Sequence, residues 1–349
     1  MKRLFRLFGT SRQLATRLTT PARRYLPYVV GHLRKNPQGP NTMGSFVVLF
    51  AIGFLYFQAQ PTTAGTDPTP ANSADLLADV KTMFSEEPTS VETKTTGGAA
   101  AFVANDKPTL TGKDALKEID RVLAETEAKL EKTSAYSAKF IKQERLGNSL
   151  TEMQVIQFRM FHNPKKISMK WEGGQDAGQR VVYVDGENGG DMLVRKQKGF
   201  EARLGVIPLD PAGALALKHS RYPVTKAGLL ELTKVIREQR ALDIKHDSGI
   251  TAKMLERQQL DGNEVILFSI EYDNNTLAPD AKHEYRKTLI YIDATTKFPV
   301  CVRTFGWPDK IHGANPEKLD QTTLLELYAY KDIDLAPRIS QEEFLREKL

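Results

Sequence analysis

The chain has 349 residues, a formal net charge of +6, a pI of about 9.1 and one cysteine. The first 66 residues hold nine basic residues and no acidic ones, so residues 67–349 carry 40 basic and 43 acidic side chains. The body of the chain is therefore slightly acidic. The composition indicates no nucleic-acid-binding protein, no disulfide framework and no cysteine metal cluster.

The N-terminus carries a membrane-targeting pattern. A basic leader, residues 1–42, precedes a low-polarity run that we assign to residues 43–59 as a transmembrane signal-anchor or a signal-peptide apolar region. Its first fifteen residues, Met43–Phe57, would span only ~22 Å as a helix, against a hydrocarbon core of ~30 Å, so both interpretations stay open. A transit peptide and a twin-arginine signal are minor alternatives. The positive-inside rule predicts a single-pass protein of the inner (cytoplasmic) membrane with its C-terminal domain outside the cytoplasm.

Residues 60–107 are rich in Pro, Thr, Ala and Gly, which is typical of a disordered linker. A short amphipathic helix is predicted over Ala74–Phe84. As a flexible coil, a linker of this size reaches roughly 40 Å. The remaining residues, 108–349, suit a single extracytoplasmic domain.

This domain begins with a predicted helix, for which Thr111 and Asp114 have the spacing of a capping box. Its apolar stripe consists of Leu116, Ile119, Val122, Leu123 and Leu130. In Leu150–Phe161 the apolar positions change phase after Val155, which predicts a β-bulge or a strongly curved strand. Apolar and polar side chains alternate along Ile167–Trp171, which predicts a half-buried strand. A further strand is predicted at Gln179–Asp185.

The middle of the domain is predicted to be helical. Asp210 and Pro211 are placed to open a short helix, and Thr225 to cap a longer one. Strands then resume. They are predicted at Ile250–Leu260 and Glu264–Tyr272 around an Asp-Gly-Asn turn, then at Thr288–Asp293, Val300–Trp307 and Thr323–Tyr330. The pattern predicts an α+β domain on one large antiparallel sheet, which so many strands would curl.

Three stretches have a recognisable pattern: Asn163–Trp171, Tyr291-Ile292-Asp293 with Phe298-Pro299-Val300, and the last strand with Asp332–Leu335. In these stretches the chain resembles the bacterial lipoprotein-carrier (LolA/LolB-like) superfamily. Three further motifs are Gln143-Glu144-Arg145, Leu209-Asp210-Pro211 and Arg221–Thr225. Through them the chain more closely resembles an uncharacterised bacterial domain-of-unknown-function family related to these carriers.

The resemblance implies a curved antiparallel sheet, an incomplete barrel with helices covering the concave face, and a hydrophobic cavity that holds acyl chains without catalysis. Independently, Val181–Val184 and Val265–Phe268 are apolar on both strand faces, which requires either extra cover from the chain or a ligand groove. The candidate lipid-lining residues, each of which could equally be plain core, are Phe158, Met160, Ile167, Met169, Trp171, Tyr183, Phe268, Ile270 and Tyr291.

Two arginines are candidates for head-group binding, because a guanidinium fork can clamp a phosphate or a carboxylate. Arg145 could instead form a local pair on a strand end, and Arg221 could simply cap a turn. No catalytic motif is present, and the six histidines lie far apart in sequence. We therefore expect neither an enzyme nor a metal or cofactor site.

The sequence thus predicts a membrane-anchored extracytoplasmic protein, held by residues 43–59, that binds lipid or lipoprotein acyl chains. A permanently tethered protein is a poor long-distance shuttle, which favours a membrane-side receptor, chaperone or sensor. The alternative is a protein-binding envelope sensor or regulator without a functional lipid cavity, since the same fold also serves a periplasmic regulator that binds an anti-sigma factor. A hydrolase with an unrecognised site is a third, weaker possibility.

Overall fold

The computed structural model describes residues 107–246, 248–273, 284–308 and 316–349. The chain divides into two units, Met1–Pro68 and Thr69–Leu349, and all described residues belong to the second. The predicted leader, membrane segment, linker and Ala74–Phe84 helix lie outside the described residues. In the part that is described, no helix is both long enough and apolar enough to cross a membrane.

Thirteen strands form one sheet within the described residues, and every neighbouring pair is antiparallel. The strands are β1 (Leu110–Thr111), β2 (Ala135–Leu146), β3 (Ser149–Leu150), β4 (Gln154–Phe161), β5 (Lys166–Gly173), β6 (Arg180–Val184), β7 (Met192–Arg195), β8 (Val206–Leu209), β9 (Ile250–Leu260), β10 (Asn263–Tyr272), β11 (Lys287–Asp293), β12 (Pro299–Phe305) and β13 (Leu324–Asp334).

The α-helices are α1 (Gly112–Glu131), α2 (Ala214–Leu217), α3 (Leu229–Lys245) and α4 (Pro316–Thr323). Short 3-10 helices lie at Asn188–Gly190, Phe200–Leu204, Val224–Lys226, Gln341–Phe344 and Arg346–Lys348.

The sheet is open. Its strand order is β1-β9-β10-β11-β12-β13-β2-β4-β5-β6-β7-β8, with β3 attached to β2, so β1 and β8 are the two edges. α1 and α3 contact each other and cover one face of the sheet. The predicted fold class, a large antiparallel sheet not closed into a barrel with helices over one face, is confirmed.

The predictions for single strands and helix ends were confirmed in part. The phase change in β4 is a true irregularity, because the β4–β5 register shifts between Val155 and Ile156. Thr111 is the N-cap residue of α1, as predicted, but its side chain makes no cap bond. The other two capping predictions were wrong, because Gly228 rather than Thr225 precedes α3 and α2 begins only at Ala214. The Asp210 carboxylate instead accepts the Ala212 N–H at 2.9 Å, an Asx-type turn that delays the helix.

Both faces of β6 are buried, as its sequence predicts, and the chain supplies the cover on each side. Val181 and Tyr183 belong to the core under the helices. Val182 and Val184 lie on the other face, packed with Phe344 and with the C-terminal residue Leu349. At β6, therefore, the second apolar face is covered by the C-terminal tail rather than left open for a ligand.

Candidate functional site

Eight of the nine candidate lining residues lie on the helix-covered face of the sheet. Direct cross-strand partners share a face, and the register joins Phe158 to Met169 and Met160 to Ile167. A first apolar cluster contains Phe158, Met160, Ile167, Met169, Trp171 and Tyr183. A second, under α1, contains Phe268 and Ile270. On the sheet itself, Val302 of the second cluster lies directly opposite Tyr328, which packs against the first cluster, so the two form one continuous apolar floor. Leu232 of α3 packs against both clusters from above.

Tyr291 is not part of this floor. It pairs across the sheet with Leu267 and Cys301, and the three belong to a separate apolar cluster on the opposite face. Because side chains alternate along β11, Ile290 and Ile292 face the helices while Tyr291 points away. The alternation was readable in the sequence, but it did not reveal which phase the helices cover.

The cover over the floor is fixed to it by two tyrosines. The Leu229 N–H donates to the Tyr136 hydroxyl at 2.8 Å, and the Gly228 N–H donates to the Tyr330 hydroxyl at 3.1 Å. These are orphan donors at the start of α3, so the floor itself caps the helix. Before α3, the segment 210–228 has only α2 and one 3-10 turn, and it packs Ala216, Val224 and Ala227 onto the floor.

A row of buried polar side chains crosses the same face at one end of the floor. The register joins Thr288 to Thr304, Thr304 to Glu326, and Glu326 to Glu144 across β11, β12, β13 and β2. All four are buried, and both glutamates are less than 5% exposed. The next row along the sheet holds Tyr328 beside Lys142. One face of one sheet thus joins an apolar floor to a charged end.

Arg221 lies over this polar row. Its Nε donates to Oε1 of Glu326 at 2.6 Å and its Nη2 to Oε1 of Glu284 at 2.5 Å, while Nη1 donates to the Arg145 carbonyl oxygen at 3.2 Å. The Tyr222 hydroxyl donates to the same Glu326 oxygen at 2.9 Å and lies 3.1 Å from the Tyr285 hydroxyl. We refer to Arg221, Glu326, Glu284, Tyr222 and Tyr285 as the arginine cluster.

Glu144 has a separate set of partners in the same row. Its carboxylate accepts from the Lys142 ammonium at 3.1 Å, from the Tyr328 hydroxyl at 2.5 Å and from the Ser220 hydroxyl at 3.4 Å. It also accepts the Arg221 N–H at 3.3 Å, which links it to the arginine cluster. A buried carboxyl group with four donors has its hydrogen-bonding capacity well satisfied inside the domain.

Burial dominates the electrostatics of the arginine cluster. Desolvation raises the pKa of Glu326, although the Arg221 guanidinium and the Tyr222 hydroxyl act in the opposite direction. Desolvation also raises the pKa of Tyr222, and the neighbouring Glu326 raises it further, so this hydroxyl stays protonated and donates. For Arg221, desolvation lowers the pKa, but the carboxylates of Glu326 and Glu284 outweigh it and raise the pKa overall. The cluster therefore keeps the guanidinium of Arg221 charged.

The two head-group candidates are placed differently. Arg221 lies on the helix-covered side at the polar end of the floor. Arg145 is held by backbone carbonyls, with Nε donating to Leu324 and Nη2 donating to Thr322, both at 2.9 Å. Its side chain thus ties β2 to the end of α4 through backbone carbonyls, a role that neither of its two sequence interpretations named.

The sequence singled out Arg221 but missed its partner Glu326 and the groups that bind Glu144. The missed side chains lie in the apolar phase of long strands. On β13, Glu326 and Tyr328 are in step with Tyr330, and on β2, Lys142 and Glu144 are in step with Phe140. A charged residue in the buried phase was the available signal. Among the described residues, no group of three or more His, Cys, Asp or Glu side chains could hold a metal ion. Burial raises the pKa of the Cys301 thiol to about 12, so it stays protonated.

Comparisons with known proteins place the domain in a family. A family model described as "Protein of unknown function (DUF1571)" matches residues 133–348, which confirms the predicted domain-of-unknown-function relationship. No curated protein matches the sequence.

Similar solved structures share little sequence with this chain. An outer membrane lipoprotein-sorting protein domain from Vibrio parahaemolyticus is 10% identical, with 66% of this chain and 98% of that chain covered and a TM-score of 0.30. Lipoprotein LppX from Mycobacterium tuberculosis is 11% identical, with 66% and 100% covered and a TM-score of 0.35. A LolA superfamily protein from Nitrosomonas europaea is 10% identical, with 69% and 100% covered and a TM-score of 0.25. The superfamily suggested by the sequence motifs is thus represented among them.

Proposed function

This chain belongs to the DUF1571 family of unknown function, and from its buried side chains we propose that the domain binds an amphiphile, either a lipid or the acyl chains of a lipoprotein. One observation carries the proposal: a continuous apolar floor ends in a row of buried polar side chains, with the Arg221 guanidinium lying over it, on the same face of the sheet. An acyl chain matches the floor, and the guanidinium matches an anionic head group. The proposed role is binding without catalysis.

The acyl chain would lie between the floor and the segment 210–228. This cover has little regular structure of its own, and its contacts with the floor are made by partly buried side chains. Such segments open at lower free-energy cost than helices or central strands. Met160 and Met169 in the floor are unbranched and can adjust to a bound chain. Each methylene group buried would contribute about 0.8 kcal/mol.

The head group would bind at Arg221. Glu326 holds the Nε side of the guanidinium and is itself buried, so it is a fixed partner. Glu284 holds Nη2 and its side chain is 35% exposed, which makes it the partner that a ligand can replace. A phosphate or carboxylate carries the same acceptor oxygens and the same sign of charge as Glu284. The proposed ligand is therefore an anionic amphiphile.

Replacing Glu284 with glutamine is expected to tighten binding of an anionic amphiphile about fivefold. The variant removes the competing carboxylate from Arg221, and a partly exposed ion pair contributes up to about 1 kcal/mol. The measurement is displacement of a fluorescent fatty acid from a fragment comprising residues 69–349. A fatty alcohol of equal length should bind Glu284→Gln and wild type equally, because it does not carry the charge that Glu284 would repel.

Glu118→Gln is the matched control for this experiment. Glu118 also pairs with an arginine, Arg121, at 2.6 Å and is similarly exposed, but it lies on α1 away from the arginine cluster. It should leave affinity unchanged. Equal affinity of Glu284→Gln and wild type for the fatty acid would exclude Arg221 as the head-group site. No binding to any variant would exclude the proposed function itself.

We also propose that the domain works on the outer side of the cytoplasmic membrane. The basic leader, the apolar run at residues 43–59 and the linker after it support a single-pass tether with the domain in the cell envelope. A tethered binder would receive or present lipid or lipoprotein at one membrane. Protease treatment of intact spheroplasts should digest the C-terminal domain and leave the leader protected, and the reverse pattern would contradict this topology.

A second candidate is a protein-binding envelope sensor on the same fold. The observation that favours it is packing: the eight floor candidates are at most 8% exposed, and their cluster neighbours fill the face. If the floor serves only as core, the domain acts through its surface. This candidate predicts no amphiphile binding and a protein partner recovered by crosslinking in cells.

A further inference from the structure

The loop between β7 and β8, residues 196–205, combines exposed apolar side chains with basic ones. Phe200 is 69% exposed and Leu204 is 56% exposed, and both lie on the 3-10 helix Phe200–Leu204. Single exposed apolar residues are ordinary on protein surfaces. Here two large apolar side chains lie within five residues, at the tip of a loop that leads to an edge strand. They form an apolar tip that is not part of the domain core.

The charges around this tip have one predominant sign. Arg195, Lys198 and Arg203 are exposed, while Lys196 is paired with Glu201 at 3.1 Å. Among the described residues, Lys198 and Arg203 make no ion pair. A short segment with protruding aromatic and aliphatic side chains and unpaired basic residues has the chemistry of a membrane-surface contact. A purely apolar protein groove would instead leave these cations desolvated and unpaired.

We propose that the β7–β8 loop docks on an anionic lipid surface. Phe200 and Leu204 would enter the interface between head groups and acyl chains, and Lys198 and Arg203 would contact the lipid phosphates. Each basic residue near an anionic membrane surface strengthens binding about fivefold. One loop would bind weakly alone, but a tether to the same membrane would raise its effective concentration.

The β7–β8 loop lies beside one end of the apolar floor, so a membrane contact there would bear on lipid access. β7 and β8 form the edge of the sheet at the end of the apolar floor, to which Met192, Val194 and Leu209 contribute. Docking through the loop would bring this end of the floor against the lipid. The inference rests on the exposure and charge of the loop, so it does not depend on amphiphile binding by the floor.

The test is tryptophan quenching in the full chain reconstituted into nanodiscs made with brominated lipids. The chain has two tryptophans, Trp171 and Trp307, neither in the predicted membrane segment, so Phe200→Trp adds one reporter to a fixed background. We expect strong quenching of Phe200→Trp in anionic nanodiscs and a loss of that quenching with phosphatidylcholine alone. Adding Lys198→Glu and Arg203→Glu should weaken the contact about 25-fold or more.

Val235→Trp is the matched control, because Val235 is a 51% exposed apolar residue on α3. It should show no quenching beyond the wild-type background. Three results would overturn the proposal: no quenching of Phe200→Trp, equal quenching of Val235→Trp, or quenching that ignores lipid charge. A Phe200→Trp emission shift that follows protein concentration rather than lipid would assign the loop to a contact between two copies, and would also overturn it.

Discussion

Replacing Arg221 with alanine is expected to lower the free energy of unfolding by about 3–5 kcal/mol. The change would leave the carboxylate of Glu326 buried without its guanidinium and release Glu284 from its partner. Desolvation already raises the pKa of Glu326, so removal of the opposing cation should drive this carboxyl to its protonated form. Urea unfolding followed by circular dichroism measures the loss.

Two variants make this prediction specific. Arg121→Ala also removes an arginine with two glutamate partners, Glu118 and Glu125, but on the exposed face of α1, and should leave the free energy of unfolding close to the wild-type value. Combining Arg221→Ala with Glu326→Gln should recover part of the loss, because the buried carboxylate at position 326, which has lost its cation, is replaced by a neutral amide. An Arg221→Ala loss no larger than that of Arg121→Ala would mean that the arginine cluster does not stabilise the fold.

Gly228→Ala is expected to destabilise the domain by about 3–5 kcal/mol through strain and lost hydrogen bonds. Gly228 has φ 112° and ψ 159°, a conformation that alanine rarely adopts. A Cβ there would lie 2.8 Å from the Tyr136 hydroxyl and 2.9 Å from the Met160 sulfur. Moving Tyr136 away would also break its bond to the Leu229 N–H. The readout is the shift in the urea midpoint.

Gly262→Ala separates backbone strain from crowding. Gly262 also has a positive φ, 75°, but a Cβ at this hairpin position meets nothing within 4 Å. Its cost should be only about 1–2 kcal/mol, from conformation alone. If both glycine variants lose the same stability, the close approach of Gly228 to the floor is not energetically important.

The architecture was predictable where one strand or helix carried its own pattern. The stripe from Leu116 to Leu130 predicted α1, and Asp261-Gly262 predicted the β9–β10 hairpin. Even the bulge in β4 followed from the phase change after Val155. These signals are local, because each depends on the alternation or periodicity within one element.

Features set by tertiary contacts were not predictable in this way. α3 starts at Leu229 because Tyr136 and Tyr330, about a hundred residues away on either side, accept its first N–H groups, whereas Thr225 offered a local cap that the fold does not use. Tyr291 points away from the helices because the face they cover is decided by the whole sheet. Only one member of the arginine cluster's ion pairs, Arg221, was predicted from the sequence. Its carboxylate partners come from β13 and from the residues before β11, which are distant in sequence.

The most direct test of amphiphile binding is native mass spectrometry of residues 69–349, exported in a bacterial host and purified without detergent. We expect a protein mass carrying a lipid. The lipid-bound fraction should rise in Glu284→Gln and stay at the wild-type level in Glu118→Gln. A protein mass without lipid, unchanged after incubation with anionic lipid in all three proteins, would rule out amphiphile binding and favour a protein-binding role for the fold.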